Sequence, residues 1–207
     1  AMPAGERFTV KQLPELLKNP LLIALYAVTV FMATGYYASY SYIEPFLAQV
    51  AHVDAGAITM TLTAFGCSGL LGSWLFGRLF DGHRFPFLAI TLSGVPVALL
   101  LMGPAASSLV TVLVVCALWG CCATAFNVAF QAELIKHTSA DSSAVAMSIF
   151  SGLFNLGIGT GTAIGGAVGS GPGIAWIGFA GGAIAVVGVI LAITVLFPAI
   201  RRAKPVA

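Results

Sequence analysis

Three side chains near the end of the first apolar stretch could together bind a sugar. Tyr37, Tyr40 and Glu44 are spaced three and four residues apart, so a helix would present them on one face. Aromatic rings pack on the apolar C–H side of a sugar, and hydroxyl and carboxylate oxygens bind its hydroxyl groups. The same residues would also suit the tyrosine belt that membrane proteins place at headgroup level. Tyr37 lies closer to the middle of the stretch, which favours a cavity wall for that residue.

Amide and hydroxyl side chains form two further candidate patches. Asn127 and Gln131 lie one helical turn apart, and Asn155 shares a helix face with Ser148 and Ser151. Amides both donate and accept hydrogen bonds, so these groups could bind the hydroxyls of a small solute. The alternative is hydrogen bonding between helices, worth about 1 kcal/mol per bond in a membrane. Asn155, near the middle of its stretch, is the strongest single candidate for solute contact.

Acidic residues suggest a proton carrier and a gate. Glu44 is the one acid that lies inside an apolar stretch and away from the end marked by basic residues. Desolvation at such a position would favour the protonated form of its carboxyl group. It is our proton-coupling candidate; the alternative is a structural or gating hydrogen bond. Asp81 with Arg78 and Arg84 could form a charge latch, or all three could be solvated.

The remaining polar and sulfur-containing residues predict no further chemistry. Glu133 is expected to pair with Lys136, three residues on, as a solvated pair at the membrane rim. The three histidines fall in different links and the four cysteines in apolar runs, so we predict no metal site and no cofactor. No H-E-x-x-H or G-x-S-x-G motif indicates an enzyme. A net charge of +2 is too small to predict a nucleic-acid partner.

Composition requires that the elements holding these residues cross a membrane. Apolar residues make up 59% of the chain and charged residues 8%, against about 25% charged in soluble domains. The mean hydropathy is +1.01. At about 20 residues per span, the 207 residues accommodate six spans. We predict a bundle over 20–198, with spans at about 21–46, 58–80, 85–102, 109–134, 144–169 and 174–197, an amphipathic cytoplasmic lead-in at 1–19, and a basic cytoplasmic tail at 199–207.

The basic residues predict how the spans are oriented. All nine lysines and arginines precede span one, lie around the second or fourth link, or follow span six. The first, third and fifth links contain none. By the positive-inside rule, both termini are expected in the cytoplasm.

Polarity repeats with a period of three spans. Spans one and four carry most of the polar side chains and suit the interior of a bundle, because lipid penalises such groups. Spans three and six carry no amide or ionisable side chain and suit a lipid-facing position. Spans two and five are rich in small residues, which suit contacts between spans one and four. Two triplets of opposite direction form an inverted repeat. The predicted fold is an all-α integral membrane protein whose six transmembrane helices form a 3+3 inverted-repeat bundle.

Span five contains a ridge of glycines. Gly157, Gly161 and Gly165 recur every fourth residue and would form one bare groove on a helix. Such a groove lets a neighbouring backbone approach closely in lipid. Tight packing and sliding during a transport cycle are both compatible with it. Gly69, Ser73 and Gly77 predict a second small-residue ridge on span two.

This order of spans resembles one half of a major facilitator superfamily transporter. Residues 77–84, GRLFDGHR, resemble a degenerate form of the family's G-x-x-x-D-R-x-G-R motif, and Gly77, Asp81 and a basic residue remain. Residues 157–166, GIGTGTAIGG, resemble the G-x-x-x-G-P-x-x-G-G antiporter motif, with Thr162 in place of proline. The resemblance implies that these residues take part in gating and packing.

Residues 40–46, YSYIEPF, and 150–159, FSGLFNLGIG, resemble the C-terminal half of bacterial sugar-efflux transporters of the drug:proton antiporter branch. The resemblance implies a multi-pass protein of the bacterial inner membrane that exports a small, sugar-like polar solute by antiport with a proton. Its partner would be the N-terminal six-helix half, or a second six-helix unit. Relatives that export drugs, nucleosides or amino-acid derivatives share these motifs, and a six-helix scaffold subunit that does not transport is a further alternative.

Overall fold

The computed structural model describes residues 18–203, and this part of the chain is helical with no strand. Residues 1–17 of the predicted lead-in (1–19) and the last four residues of the predicted tail lie outside the described residues. Span one is Pro20–Tyr40, continued after a short break by Ile43–Gln49; span two is Ala55–Leu79. Span three is Arg84–Ala105, span four Leu109–Lys136 and span five Ala140–Val168. Span six comprises Ile177–Leu191, a π-helical turn Ala192–Leu196, and Phe197–Arg202.

Helix starts and stops follow local chemistry. The side chain of Asn19 accepts a hydrogen bond from the Leu21 N–H at 3.0 Å, and Pro20 occupies the first turn of span one. Asp54 caps span two by accepting from the Ala57 N–H at 3.0 Å. Spans five and six lie in one continuous run of helical residues, Ala140–Arg202, which is 63 residues long. Gly173, with a φ of 109°, divides that run, because only glycine adopts this conformation readily.

Contacts between spans show that the chain alternates in direction. Gly157 and Gly165 of span five lie against residues 33 and 38 of span one, so these two spans run parallel. Gly181 and Gly188 of span six lie against residues 35 and 32, so span six runs antiparallel to them. The run after Gly173 is therefore a separate sixth span.

The packing follows the predicted inverted repeat. Span one packs mainly on spans five and six, and span four packs mainly on spans two and three, so the two halves of the bundle have equivalent neighbours. Spans three and six also pack on each other. This arrangement confirms the prediction of an all-helical membrane bundle of the 3+3 type.

Burial differs from the expectation for individual spans. Spans three and six both enter the core and expose a face of large apolar side chains that includes Ile90 and Ile190. Span two is the least buried of the membrane-length helices. Spans two and five do not bridge spans one and four equally: each packs mainly on one of them and leaves its other side uncovered.

The small-residue ridge of span two is also rotated from its predicted position. Gly69 and Gly72 lie against Thr124 and Cys121 of span four. Ser73 and Gly77 are exposed, and no atom of the described residues lies within 4 Å of a Cβ placed at Gly77. The contacts with span four follow a spacing of three rather than four residues, so they do not reach Gly77, whose predicted role in packing stays a prediction.

The glycine ridge of span five predicts a specific pattern of tolerance to substitution. A methyl group at Gly161 would overlap the backbone of Thr34 and Ala38, whereas a methyl group at Gly159 would meet no atom of residues 18–203 within 4 Å. We expect Gly161→Ala to lower the free energy of unfolding in detergent by about 1–3 kcal/mol through overpacking. Gly159→Ala, the matched control on the same helix, should be neutral or stabilising, since alanine is the better helix former. Equal losses in both variants would contradict this packing.

Candidate functional site

Spans one, four and five line an open cavity with two adjoining lobes. We call the lobe nearer the basic end of span four the inner lobe and the other the outer lobe; the outer lobe has a volume of about 230 Å³ and the inner lobe about 180 Å³. Asn127 and Phe154 line both lobes, so the two lobes are direct neighbours. The outer lobe is otherwise lined by Ala33, Tyr36, Tyr37, Ala123, Thr124 and Phe126, and the inner lobe by Gln131, Phe150, Ser151 and Asn155.

Five of the six residues predicted to bind solute lie in this cavity wall. The Gln131 Nε2–H donates to Asn127 Oδ1 at 2.6 Å, so the two amides form one polar patch on span four. The Asn155 Nδ2–H donates to the Ser151 carbonyl at 2.8 Å on span five. Tyr37 is in edge-to-face contact with Phe154, with ring centroids 6.0 Å apart. The cavity therefore combines aromatic surfaces with amide groups.

Tyr40, the sixth predicted residue, lies outside the cavity wall. Its ring packs against Tyr36 at 5.2 Å, Phe65 at 5.5 Å and Trp119 at 6.1 Å between centroids. We call Tyr36, Tyr40, Phe65 and Trp119 the aromatic cluster. Along span one it continues from the outer lobe toward the end opposite the basic residues. Only Tyr36 belongs to both the cluster and the cavity.

Glu44 also lies apart from the cavity. It is exposed in the first turn of Ile43–Gln49, after the break in span one at Ser41 and Tyr42. Tyr42 donates its hydroxyl hydrogen to the Thr162 carbonyl of span five at 3.0 Å. Glu44 therefore belongs to a separate short helix and is not among the residues that line either lobe.

The charged residues at the basic end pair differently from the expectation. Glu133 is 1% exposed and forms a two-point ion pair with Arg84 at the start of span three. Lys136 instead bonds the exposed carboxylate of Asp81, with Nζ 3.2 Å from Oδ1. The predicted pair of Glu133 with Lys136 was wrong, and so was the predicted grouping of Asp81 with Arg84.

Arg78 takes no part in either pair in the part of the chain that the structure describes. Its guanidinium lies over the Trp74 ring, 5.6 Å from the centroid. A buried carboxylate needs a nearby cation and hydrogen-bond donors, which explains why Glu133 bonds the guanidinium that lies inside the bundle. The result is that the ends of spans three and four are joined by a buried pair, and the ends of spans two and four by an exposed one.

Sequence reasoning missed Tyr36, Thr124 and Phe154 in the cavity and the Arg84–Glu133 pair. Phe154 lies three residues after Ser151, so helical spacing could have placed it beside the predicted patch. Arg84 and Glu133 are 49 residues apart, and no local spacing connects them.

The two ion pairs should contribute very differently to stability. Glu133→Gln leaves the Arg84 guanidinium without its carboxylate in a largely buried place, so we expect a loss of about 3 kcal/mol in the free energy of unfolding. Asp81→Asn removes an exposed partner and should cost less than about 0.5 kcal/mol. Both variants can be compared by denaturant titration in detergent. A Glu133→Gln variant as stable as Asp81→Asn would contradict the buried pair.

Comparison with known proteins places this architecture in a family. Residues 9–207 match the Major Facilitator Superfamily. A protein of Pasteurella multocida (strain Pm70), named "Probable sugar efflux transporter", is 34% identical over 194 residues, which cover 94% of this chain and 48% of that protein. The chain spans about half the length of this curated relative. With its six-span bundle and its central cavity, the chain belongs to the Major Facilitator Superfamily of membrane transporters.

Proposed function

We propose that the chain forms one half of a secondary active transporter that exports sugars or similar small polar solutes. The observation that carries this proposal is the two-lobed cavity, whose wall alternates aromatic rings with amides. Tyr37 and Phe154 offer faces for the apolar side of a sugar ring, while Asn127, Gln131 and Asn155 offer donors and acceptors for its hydroxyls. The name of the Pasteurella relative supports the same class of substrate.

The cavity wall favours a neutral solute over a cationic drug. Among the residues that line the two lobes, none carries a carboxylate, an ammonium or a guanidinium group. A lipophilic cation would gain most from a carboxylate in a site of low dielectric constant. Export of drugs, the alternative within the superfamily, is therefore less well supported by this half of the site.

A second six-helix unit is proposed to cover the open faces of spans two and five. Span five exposes Ser148, Ser151, Asn155 and Gly159 on one side, although it lies in the membrane. Polar side chains at that depth face a bundle interior or water rather than lipid. The covering unit would correspond to the part of the relative that this chain does not match.

Alternating access would arise from rocking of the two six-helix units around the cavity. The glycine contact between spans five and one permits the small displacements that such a motion requires, and the Arg84–Glu133 pair ties spans three and four at the basic end. Gly157, Gly161 and Gly165 are thus proposed to act in both packing and gating.

We further propose that the protein lies in a bacterial inner membrane with both termini in the cytoplasm. Three basic residues lie at one end of the bundle. Lys136 bonds Asp81, and Arg84 pairs with Glu133. The Arg201 guanidinium lies 5.0 Å from the Phe85 ring centroid at the same end. By the positive-inside rule this end faces the cytoplasm. The aromatic cluster then lies on the periplasmic side of the cavity.

Efflux from cells that make the chain together with its companion half tests the substrate assignment. Asn155→Ala and Tyr37→Ala should each lower the efflux of radiolabelled arabinose or a thiogalactoside by about tenfold, since each removes contacts worth about 1.4 kcal/mol. Ser170→Ala, an exposed serine bonded to its own helix at the Gly166 carbonyl, is the matched control. Unchanged efflux in both cavity variants would overturn the assignment. A stable complex that moves no solute in liposomes would instead favour a scaffold.

Proton antiport, with Glu44 as the candidate carrier, is tested separately. If Glu44 carries the proton, Glu44→Gln should abolish efflux driven by a pH gradient but retain exchange of labelled for unlabelled sugar, which needs no net proton movement. Asp54→Asn, an exposed acid at the same end of the bundle, should keep both activities. Gradient-driven efflux by Glu44→Gln at the unmodified rate would remove Glu44 from the coupling mechanism.

A further inference from the structure

The indole of Trp119 is a buried polar group that the packing does not explain. The side chain lies in span four and is fully buried, with 0% of its surface exposed. Its Nε1–H has no hydrogen-bond acceptor in the part of the chain that the structure describes. A buried indole normally finds a partner for this group.

The surroundings of Trp119 account for its rings but not for its N–H. Tyr36 and Phe65 meet it edge to face, with centroids 5.2 and 5.3 Å away, and Tyr40 lies 6.1 Å away. These contacts join spans one, two and four. A purely apolar ring would make them without the cost of an unpaired donor.

Trp119 is separated from the cavity by one side chain. Tyr36, which packs on it, lines the outer lobe. Ala123, one turn further along span four, lines the same lobe and carries only a methyl group. A solute in the outer lobe could therefore contact the Trp119 indole only if the Tyr36 ring moved from this position.

We propose that Trp119 is a substrate-binding residue that donates its indole N–H to an oxygen of the transported solute when that solute displaces the Tyr36 ring. This inference rests on the proposed function and extends its site from the polar amides to the aromatic cluster. The ligand it predicts has an apolar face for Tyr37 and Phe154 and an acceptor oxygen at its outer edge. The amides of Asn127 and Gln131 would bind the opposite edge.

The test combines one substitution with a series of substrate analogues. Isopropyl β-D-thiogalactoside and its monodeoxy derivatives are supplied to cells that make the chain with its companion half. In the unmodified protein, removal of the hydroxyl that accepts from Trp119 should raise KM about five- to tenfold. In Trp119→Phe, the parent sugar should show the same rise, and removal of that hydroxyl should have no further effect.

Comparing the unmodified protein with Trp119→Phe across the analogue series distinguishes the loss of a hydrogen bond from a change in packing. Phenylalanine is smaller than tryptophan, so a merely structural role of Trp119 would lower transport of every analogue by one common factor, and that result would overturn the proposal. Trp176→Phe makes the same change at an exposed position outside the cluster and should leave the whole series unchanged. If Asn155→Ala lowers efflux while Trp119→Phe leaves KM unaltered, the inference fails and the proposed function stands. If no cavity variant changes thiogalactoside transport, both fail.

Discussion

Backbone contact at glycine is the constraint on which the rest of this bundle depends. Within a bilayer there is no hydrophobic gain from bringing two apolar helices together, so close packing and interhelical hydrogen bonds must hold them. Gly157, Gly161 and Gly165 bring span five onto the backbone of span one. At this approach side chains can bond across the seam, as the Thr34 and Thr160 hydroxyls do at 3.0 Å.

The cavity follows from this packing. Span four makes the equivalent close contact with span two, through Gly69, Gly72 and Gly120. Each central helix is therefore drawn toward one outer neighbour, and the space left between spans one, four and five is where the amides lie. The same helix packing that stabilises the bundle therefore also positions the amide side chains of the candidate site.

Much of this organisation could be predicted from the sequence because membrane burial leaves strong local signals. Long apolar runs gave the spans, and spacing placed Tyr37, Asn127, Gln131, Ser151 and Asn155 on faces that do meet. Spacing could not give the rotation of one helix against another, which explains why Gly69 and Gly72 rather than Gly77 meet span four and why the predicted partner of Glu133 was wrong. Nor could it show the break after Tyr40, which places Tyr37 and Glu44 on two different helices.

The uncovered side of span five has a consequence for biogenesis. Ser151 and Asn155 lie on that side in the middle of a helix that must enter the bilayer. If the proposed second six-helix unit covers this side, a copy inserted without that unit would hold these groups against acyl chains, where polar groups are costly. Insertion of span five into the bilayer would then be more favourable when the covering unit is already present.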